Sequence, residues 1–194
     1  MTPLIDKPAP FIHRYDVGDT QPFLDAVLIT TERMKRWSRA TTGGADGRPA
    51  VTSPTRTNLN FSVEEVVFRR ADDRLGEVYA ELICAIEDGV NHYCNQYNLV
   101  LGNWEFWGVN RYEMGAEYER HADKGGGNTR LLSAVVYLNA VEGGGETRFP
   151  LWDLAISPDP GTMLIFPSSY PYTHVAEPPT SGSKYSMVTW LHAR

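Results

Sequence analysis

A mainly β, α+β fold is predicted for this chain, a β-sandwich or jelly roll buttressed by helices that precede it in the sequence. Three observations predict it. A long run of apolar residues at helical spacing lies in the first half, short alternating runs follow residue 100, and Gly and Pro clusters separate those runs. The 194 residues suffice for one domain with a sizeable core. We expect a single domain over 1–194, with 1–100 as helical support and loop and 101–194 as the β core.

The elements follow in order. "FIHRY", residues 11–15, is expected to open the fold as a short strand, and residues 20–37 to be helical. Residues 41–58, rich in Gly, Thr and Pro, predict an irregular loop of a length that usually marks a lid or disorder. From Asp72 to Asn98 the apolar residues Leu75, Val78, Tyr79, Leu82, Ile83, Ile86, Val90, Tyr93 and Tyr97 recur at helical spacing, with Asp72 or Asp73 available as the cap. Beyond residue 100, "WEFWGVNRY", "LLSAVVYLN", "ETRFPL", "GTMLIFPS" and "YSMVTWLHA" read as strands. "EGGGE" and "PDPG" read as turns.

Hydrophobic residues make up 42% of the chain and charged residues 22%, as in a globular protein, and the net charge of −6 argues against a nucleic-acid surface spanning the domain. The N-terminal "MTPLIDKPAPFIHRYD" has neither a signal-peptide apolar core nor a bilayer-length run. A cytoplasmic protein without membrane contact is expected. Cys84 and Cys94 fall in one predicted helix, about 15 Å apart along its axis and out of disulfide range. They are expected to be buried thiols in a reducing compartment.

The chemistry centres on "YERHAD". If this segment lies on or enters a strand, side-chain period two puts His121 and Asp123 on one face, where both can reach one ion. Of the other histidines, only His174 directly follows a strongly strand-like segment. An antiparallel jelly roll can bring that segment alongside the first. Two imidazoles and one carboxylate leave the opposite face of an ion open, the arrangement of non-haem Fe(II) oxygenases. A solvated surface pair is the ordinary alternative for an HxD. Lys184 opens an otherwise apolar strand, and an inward-facing ammonium there calls for an anion; the alternative is a lysine pointing into water.

"YEMGAEYERHAD", "RLLSAVVYLN", "GGGETRFP", "PDPGTMLIFP" and "HVAEPPTSGSKYSMVTWLH" together resemble the successive signatures of the 2-oxoglutarate and Fe(II)-dependent dioxygenases, specifically the prolyl 4-hydroxylase branch. The resemblance runs over residues 104–192 and keeps order and spacing. It implies a double-stranded β-helix (jelly roll) in which His121, Asp123 and His174 bind Fe(II) and Lys184 pairs with the distal carboxylate of 2-oxoglutarate. Tyr112 and Tyr137 are then cosubstrate-lining residues, each with a core aromatic as its alternative. O2 is consumed, succinate and CO2 are released, and ascorbate is an expected auxiliary.

The same resemblance implies contacts to a proline-containing peptide from Arg56, Asn58, Glu105, Tyr118, Arg130, Trp190 and His192. Singly, each has an ordinary reading: Arg56 as solvated loop, Glu105 as rim charge, Trp190 as core, His192 as a frayed end. The short "KGGGNT" between Asp123 and Arg130, and the compact "LWDLAISP", depart from plant-type relatives, which often carry longer segments there. The alternatives are a same-class hydroxylase of a free amino acid or small metabolite, and a non-catalytic jelly-roll binding module. A zinc hydrolase is disfavoured because it wants a nearby general base rather than a deep lysine. Oligomeric state is not legible.

Overall fold

The computed structural model describes residues 1–42, 51–105 and 107–194. A hairpin opens the chain, β1 (Leu4–Ala9) and β2 (Ile12–Asp16), then α1 (Gln21–Met34). Short strands β3 (Ser38–Arg39), β4 (Thr41–Thr42) and β5 (Val51–Thr52) lead to β6 (Leu59–Ser62), followed by α2 (Val63–Phe68) and α3 (Asp73–Tyr97). The remaining strands are β7 (Leu101–Trp104), β8 (Gly108–Tyr112), β9 (Tyr118–His121), β10 (Arg130–Tyr137), β11 (Thr147–Phe149), β12 (Leu154–Ile156), β13 (Thr162–Pro167), β14 (His174–Ala176) and β15 (Lys184–Ala193).

Among the described residues, the major sheet runs β1-β2-β13-β10-β15-β8-β6-β3, with β7 pairing to β15. The minor sheet runs β12-β11-β14-β9. Every pairing is antiparallel. The two sheets form the jelly roll and the helices pack on the outside of the larger one, as the order of elements predicts.

Side-chain alternation sorts the major sheet into two faces. Leu132, Ala134 and Val136 of β10, with Met163 and Ile165 of β13, pack toward the helices, meeting Leu75, Val78, Leu82, Ile86 and Val90 of α3. Val135, Tyr137, Leu164 and Phe166 face the other way, onto Phe149, Ile156 and Tyr172 from the minor-sheet side. Burying a large apolar side chain contributes about 1.5–3 kcal/mol, so the helix-side face, which holds most of the core, anchors the sheet. Gly89 allows the approach: a Cβ there would lie 2.5 Å from the Met163 methyl.

The long helix begins where expected. The Asp72 carboxylate accepts from the Leu75 N–H at 3.0 Å and also receives Thr30 Oγ1 and Arg33 from α1, each at 2.7 Å, so one cap ties two helices together. Three expectations change. The strand at residues 11–15 does not open the fold, because β1 precedes it as a hairpin partner. The first helix stops at Met34, where Lys35 turns left-handed at φ 51°, short of Trp37. Cys84 is exposed, because the α3 face carrying it turns away from the sheet, while Cys94 is buried. Of the predicted loop, residues 43–50 lie outside the described residues, and its flanks form the β4–β5 pair.

Candidate metal centre and active-site cleft

Non-consecutive strand pairing assembles the cluster whose outer members, His121 and His174, lie 53 residues apart in sequence. In the minor sheet β14 pairs with β9 and sets His174 directly opposite His121. Asp123 lies two residues past the end of β9, in the turn, and its side chain returns to the same side. The metal-facing atoms of His121, Asp123 and His174 all lie within 4.8 Å of one another. His121 Nε2 is 3.6 Å from Asp123 Oδ1, and His174 Nε2 is 3.8 Å from Asp123 Oδ2.

The donor set fits a divalent metal. His121 Nδ1–H donates to the Glu119 carbonyl at 2.8 Å and His174 Nδ1–H to the Tyr172 carbonyl at 3.1 Å, which fixes both tautomers with Nε2 free to ligate. Ser133 Oγ donates to Asp123 Oδ2 at 2.6 Å, orienting the carboxylate. Burial works to raise the Asp123 pKa, but the neighbouring His174 and His121 and the Ser133 bond outweigh it and hold the group well below the usual carboxylate range. Burial, aided by His121, pushes His174 down to about 4, so its imidazole is neutral at pH 7. Two imidazoles presenting Nε2 and one carboxylate form a site for Fe, Zn or another first-row ion.

Inward from this cluster, Lys184 is 2% exposed. Its Nζ donates to the Gly145 carbonyl at 2.7 Å and sits 4.9 Å from the Tyr112 ring centre and 5.7 Å from that of Tyr137. No carboxylate pairs with it among the described residues. Burial lowers its pKa to about 8, with Glu146 opposing. Gly144 and Gly145, at φ 70° and 77°, belong here as more than a turn: a Cβ on Gly145 would lie 3.3 Å from Lys184 Cδ. The Tyr137 hydroxyl donates to Thr147 Oγ1 at 2.7 Å, and burial pushes Tyr112 up to about 12.

Outward, a cleft of about 550 Å³ opens over the cluster, lined by Arg56, Glu105, Tyr118, Asp123, Arg130 and Trp190 among others. Glu105 and Arg130 form a bidentate ion pair, Nε to Oε2 at 2.6 Å and NH2 to Oε1, and the Arg130 guanidinium lies 3.7 Å from the Trp190 ring centre. Arg130 also donates to the Asp123 carbonyl at 3.2 Å, linking rim to metal ligand. His192 is not frayed: Nε2 bonds Glu105 at 3.0 Å and Nδ1 bonds Thr129 at 2.8 Å. Across the cleft Arg56 lies 4.7 Å from the Tyr118 ring centre, and Tyr118 stacks on His121 with ring centres 3.5 Å apart. Asn58 is fully buried, its amide shared between the Leu59 carbonyl and Asn110, so it supports Arg56 rather than lining the cleft.

Sequence reasoning missed Ser133, Thr147 and Asn110. A hydroxyl inside the apolar run "LLSAVVY" was the available signal for Ser133, since period two places it on the face of Val135 and Tyr137.

Residues 107–192 match the family model described as the 2OG-Fe(II) oxygenase superfamily. That segment is similar to the core of the superfamily. The curated proteins the chain is similar to include prolyl 4-hydroxylases. It is 34% identical to prolyl 4-hydroxylase subunit alpha-2 of Gallus gallus over 113 residues, 50% of this chain and 21% of that protein. With subunit alpha-1 of the same organism it shares 32% over 104 residues, 44% of this chain and 20% of that one. The chain spans half or less of the length of the curated relatives it matches, 39% for one from Arabidopsis thaliana and 50% for one from Acanthamoeba polyphaga mimivirus.

Solved structures share the fold. A Trichoplax adhaerens prolyl hydroxylase in complex with a hypoxia inducible factor peptide fragment superposes with TM-score 0.77 at 19% identity, covering 94% of this chain and 84% of that one. A viral collagen prolyl hydroxylase from Paramecium Bursaria Chlorella virus-1, in a 2OG complex, gives 0.66 at 23% identity over 95% and 97% of the two chains.

Proposed function

We propose that the chain is an Fe(II)- and 2-oxoglutarate-dependent hydroxylase of peptidyl proline, acting as one catalytic domain over residues 1–194. The observation that carries this reading is the conjunction of a His121–Asp123–His174 ligand set with a buried Lys184 behind it that pairs with no carboxylate among the described residues. The relatives' names and the peptide bound to one structural neighbour support the substrate class.

When bound, Fe(II) couples the oxidative decarboxylation of 2-oxoglutarate by O2, giving succinate and CO2, to insertion of one oxygen atom into a substrate C–H bond. The chain's residues bind and orient. His121 and His174 ligate through Nε2, and Asp123, steadied by Ser133, supplies the anionic ligand. Lys184 neutralises the distal carboxylate of the 2-oxo acid in a site too dry to leave that charge unpaired. Tyr112 walls the inner cavity, and Tyr137, its ring centre 5.7 Å from Lys184 Nζ, backs the lysine and keeps water from it. Ascorbate would keep the metal reduced between turnovers.

The outer cleft suits an extended peptide. Arg130 and Trp190 offer a flat stacked surface, and Tyr118 faces it from above His121. The Trp190 indole N–H is buried without a partner among the described residues. A peptide carbonyl would satisfy that donor. No described helix is long and apolar enough to cross a membrane. A cytoplasmic setting is part of the proposal, supported by two thiols held apart on one helix.

The test is succinate formation from 2-oxoglutarate with Fe(II) and ascorbate, with and without proline-rich peptides, followed by mass spectrometry. Peptide-stimulated turnover with a gain of about 16 Da on proline, one oxygen atom, is expected. Turnover stimulated by free amino acids and by no peptide would overturn the peptide assignment.

A further inference from the structure

A set of titratable side chains that the active-site roles leave unused lies on the helix side of the major sheet, away from the metal cluster. His13 of β2 is fully buried, and both of its ring nitrogens are occupied. Nδ1 lies 3.2 Å from the Tyr15 hydroxyl and Nε2 2.9 Å from the Tyr97 hydroxyl, while the Tyr15 hydroxyl lies in turn 3.0 Å from His92 Nδ1. The four side chains form one unbranched chain, His92–Tyr15–His13–Tyr97. It runs from an exposed histidine on α3, through the core, to a half-buried tyrosine at the end of the same helix.

Counting hydrogens gives this chain a direction. A neutral imidazole has one N–H and one acceptor nitrogen, and a phenol has one O–H. Each of the three contacts holds one proton, so the polarity of one bond fixes the others. In the first arrangement Tyr97 O–H donates to His13 Nε2, His13 Nδ1–H to the Tyr15 oxygen, and Tyr15 O–H to His92 Nδ1. In the second every bond reverses. His92 Nδ1–H donates to Tyr15, Tyr15 O–H to His13 Nδ1, and His13 Nε2–H to the Tyr97 oxygen, whose own hydrogen turns outward to water. Any mixture of the two leaves a buried donor or acceptor without a partner, at the full cost of its desolvation. With His92 neutral the first arrangement is favoured, because it makes two phenol-to-imidazole bonds where the second makes one. Protonated His92 has no acceptor at Nδ1 and admits only the second.

We propose that this chain is a proton relay, in which charging His92 at the surface of α3 switches the tautomer of buried His13 and turns the Tyr97 hydroxyl from donor to acceptor. The net change is one proton. The Tyr15 proton passes to His92 Nδ1, the His13 Nδ1 proton to Tyr15 and the Tyr97 proton to His13 Nε2, and Tyr97 takes a proton from water. All three bonds survive, so the seam between β2 and α3 takes up a surface charge without opening. Tyr93 flanks the chain, edge-on to His13 at 4.7 Å, with its hydroxyl committed to the Phe11 carbonyl. Lys7 of β1 acts on His13 through space, Cys94 on Tyr15 and Tyr172 on Tyr97. Asp88, one turn before His92, pairs with the Met1 amino group at 3.4 Å. The relay is independent of the reaction at the metal cluster.

Nitrogen-15 NMR of the histidine rings reads tautomers directly. Burial holds the His13 pKa down at about 4, so His13 stays neutral while the sample is taken from about pH 8 to about pH 5. Over that range His13 is expected to pass from its Nδ1–H to its Nε2–H form, with the midpoint at which the His92 ring titrates. In His92→Phe the Tyr15 hydroxyl has only His13 left to donate to, and His13 is expected to hold the Nε2–H form at every pH. His92→Leu makes the same test if the phenylalanine variant does not fold. A His13 ring that keeps one tautomer while His92 titrates, or that still switches in a folded His92 variant, overturns the relay.

Discussion

Lys184 makes the affinity for 2-oxoglutarate depend on pH in a way that can be worked out in advance. Burial lowers its pKa to about 8 in the free protein, and a bound carboxylate favours the charged form, so the complex binds a proton that the free protein loses as pH rises. Affinity is therefore full below the free-protein pKa and declines above it. For a pKa near 8, the apparent dissociation constant at pH 9 is about tenfold weaker than at pH 7, one pKa unit corresponding to about 1.4 kcal/mol. Around the cavity His174 sits near 4, Asp123 below the carboxylate range and Tyr112 near 12, each outside that window. The assay is calorimetric titration of the Mn(II)-loaded protein from pH 7 to 9. Lys184→Arg, charged throughout, should flatten the profile. Lys184→Met should lose about 2 kcal/mol or more, at least about thirtyfold in affinity, along with the slope. A wild-type affinity that does not change between pH 7 and 9, or a slope that survives in Lys184→Met, would refute the assignment of Lys184 as carboxylate partner.

Further predictions concern the supports of the site. Ser133→Ala removes the hydrogen bond orienting Asp123 and should weaken metal binding by about 10- to 100-fold in a competition titration, with little change in melting temperature. Arg130→Met breaks the pair with Glu105 and the stack on Trp190; peptide KM should rise several-fold while 2-oxoglutarate KM holds, and equal effects on both would contradict a rim role. Gly145→Ala forces a Cβ to 2.9 Å from Val141 and 3.3 Å from Lys184 at φ 77°, and should destabilise the fold by about 1–3 kcal/mol in denaturant titration. His13, pushed by burial and by the charges of Lys7 and His92 from the ordinary 6.5 to about 4, should contribute stability above pH 6.5 that is lost as pH falls toward 4. The loss reaches about 3 kcal/mol at most, and His13→Gln should flatten that part of the acid-unfolding profile.

Much of this architecture could be read from residue spacing. The α3 helix is written in its apolar period and its aspartate cap, and the strands of the β core in their alternation. The inward turn of Lys184 was one of two readings of a charge opening an apolar strand, and its burial agrees with that one. The metal cluster was legible only in part: HxD fixes two ligands locally, but the His174–His121 register belongs to the pairing of β14 with β9, which no local pattern encodes. Strand β1 was hidden because none of its residues is buried, leaving no apolar alternation to read. Asn110 was hidden for a different reason. Its carboxamide oxygen accepts three donors from a segment 50 or more residues away, and an asparagine in "GVNRY" carries no sign of them.

The central claim is that the His121–Asp123–His174 centre and Lys184 together direct one oxygen atom from O2 onto a peptidyl proline. The most direct measurement is tandem mass spectrometry of a proline-rich peptide incubated under ¹⁸O₂ with the Fe(II)-loaded protein and 2-oxoglutarate, beside an Asp123→Ala control. The account predicts a gain of about 18 Da, one heavy oxygen atom, on proline, dependent on 2-oxoglutarate and absent in the control. An unmodified peptide alongside 2-oxoglutarate consumption, or equal labelling by the Asp123→Ala protein, would contradict it.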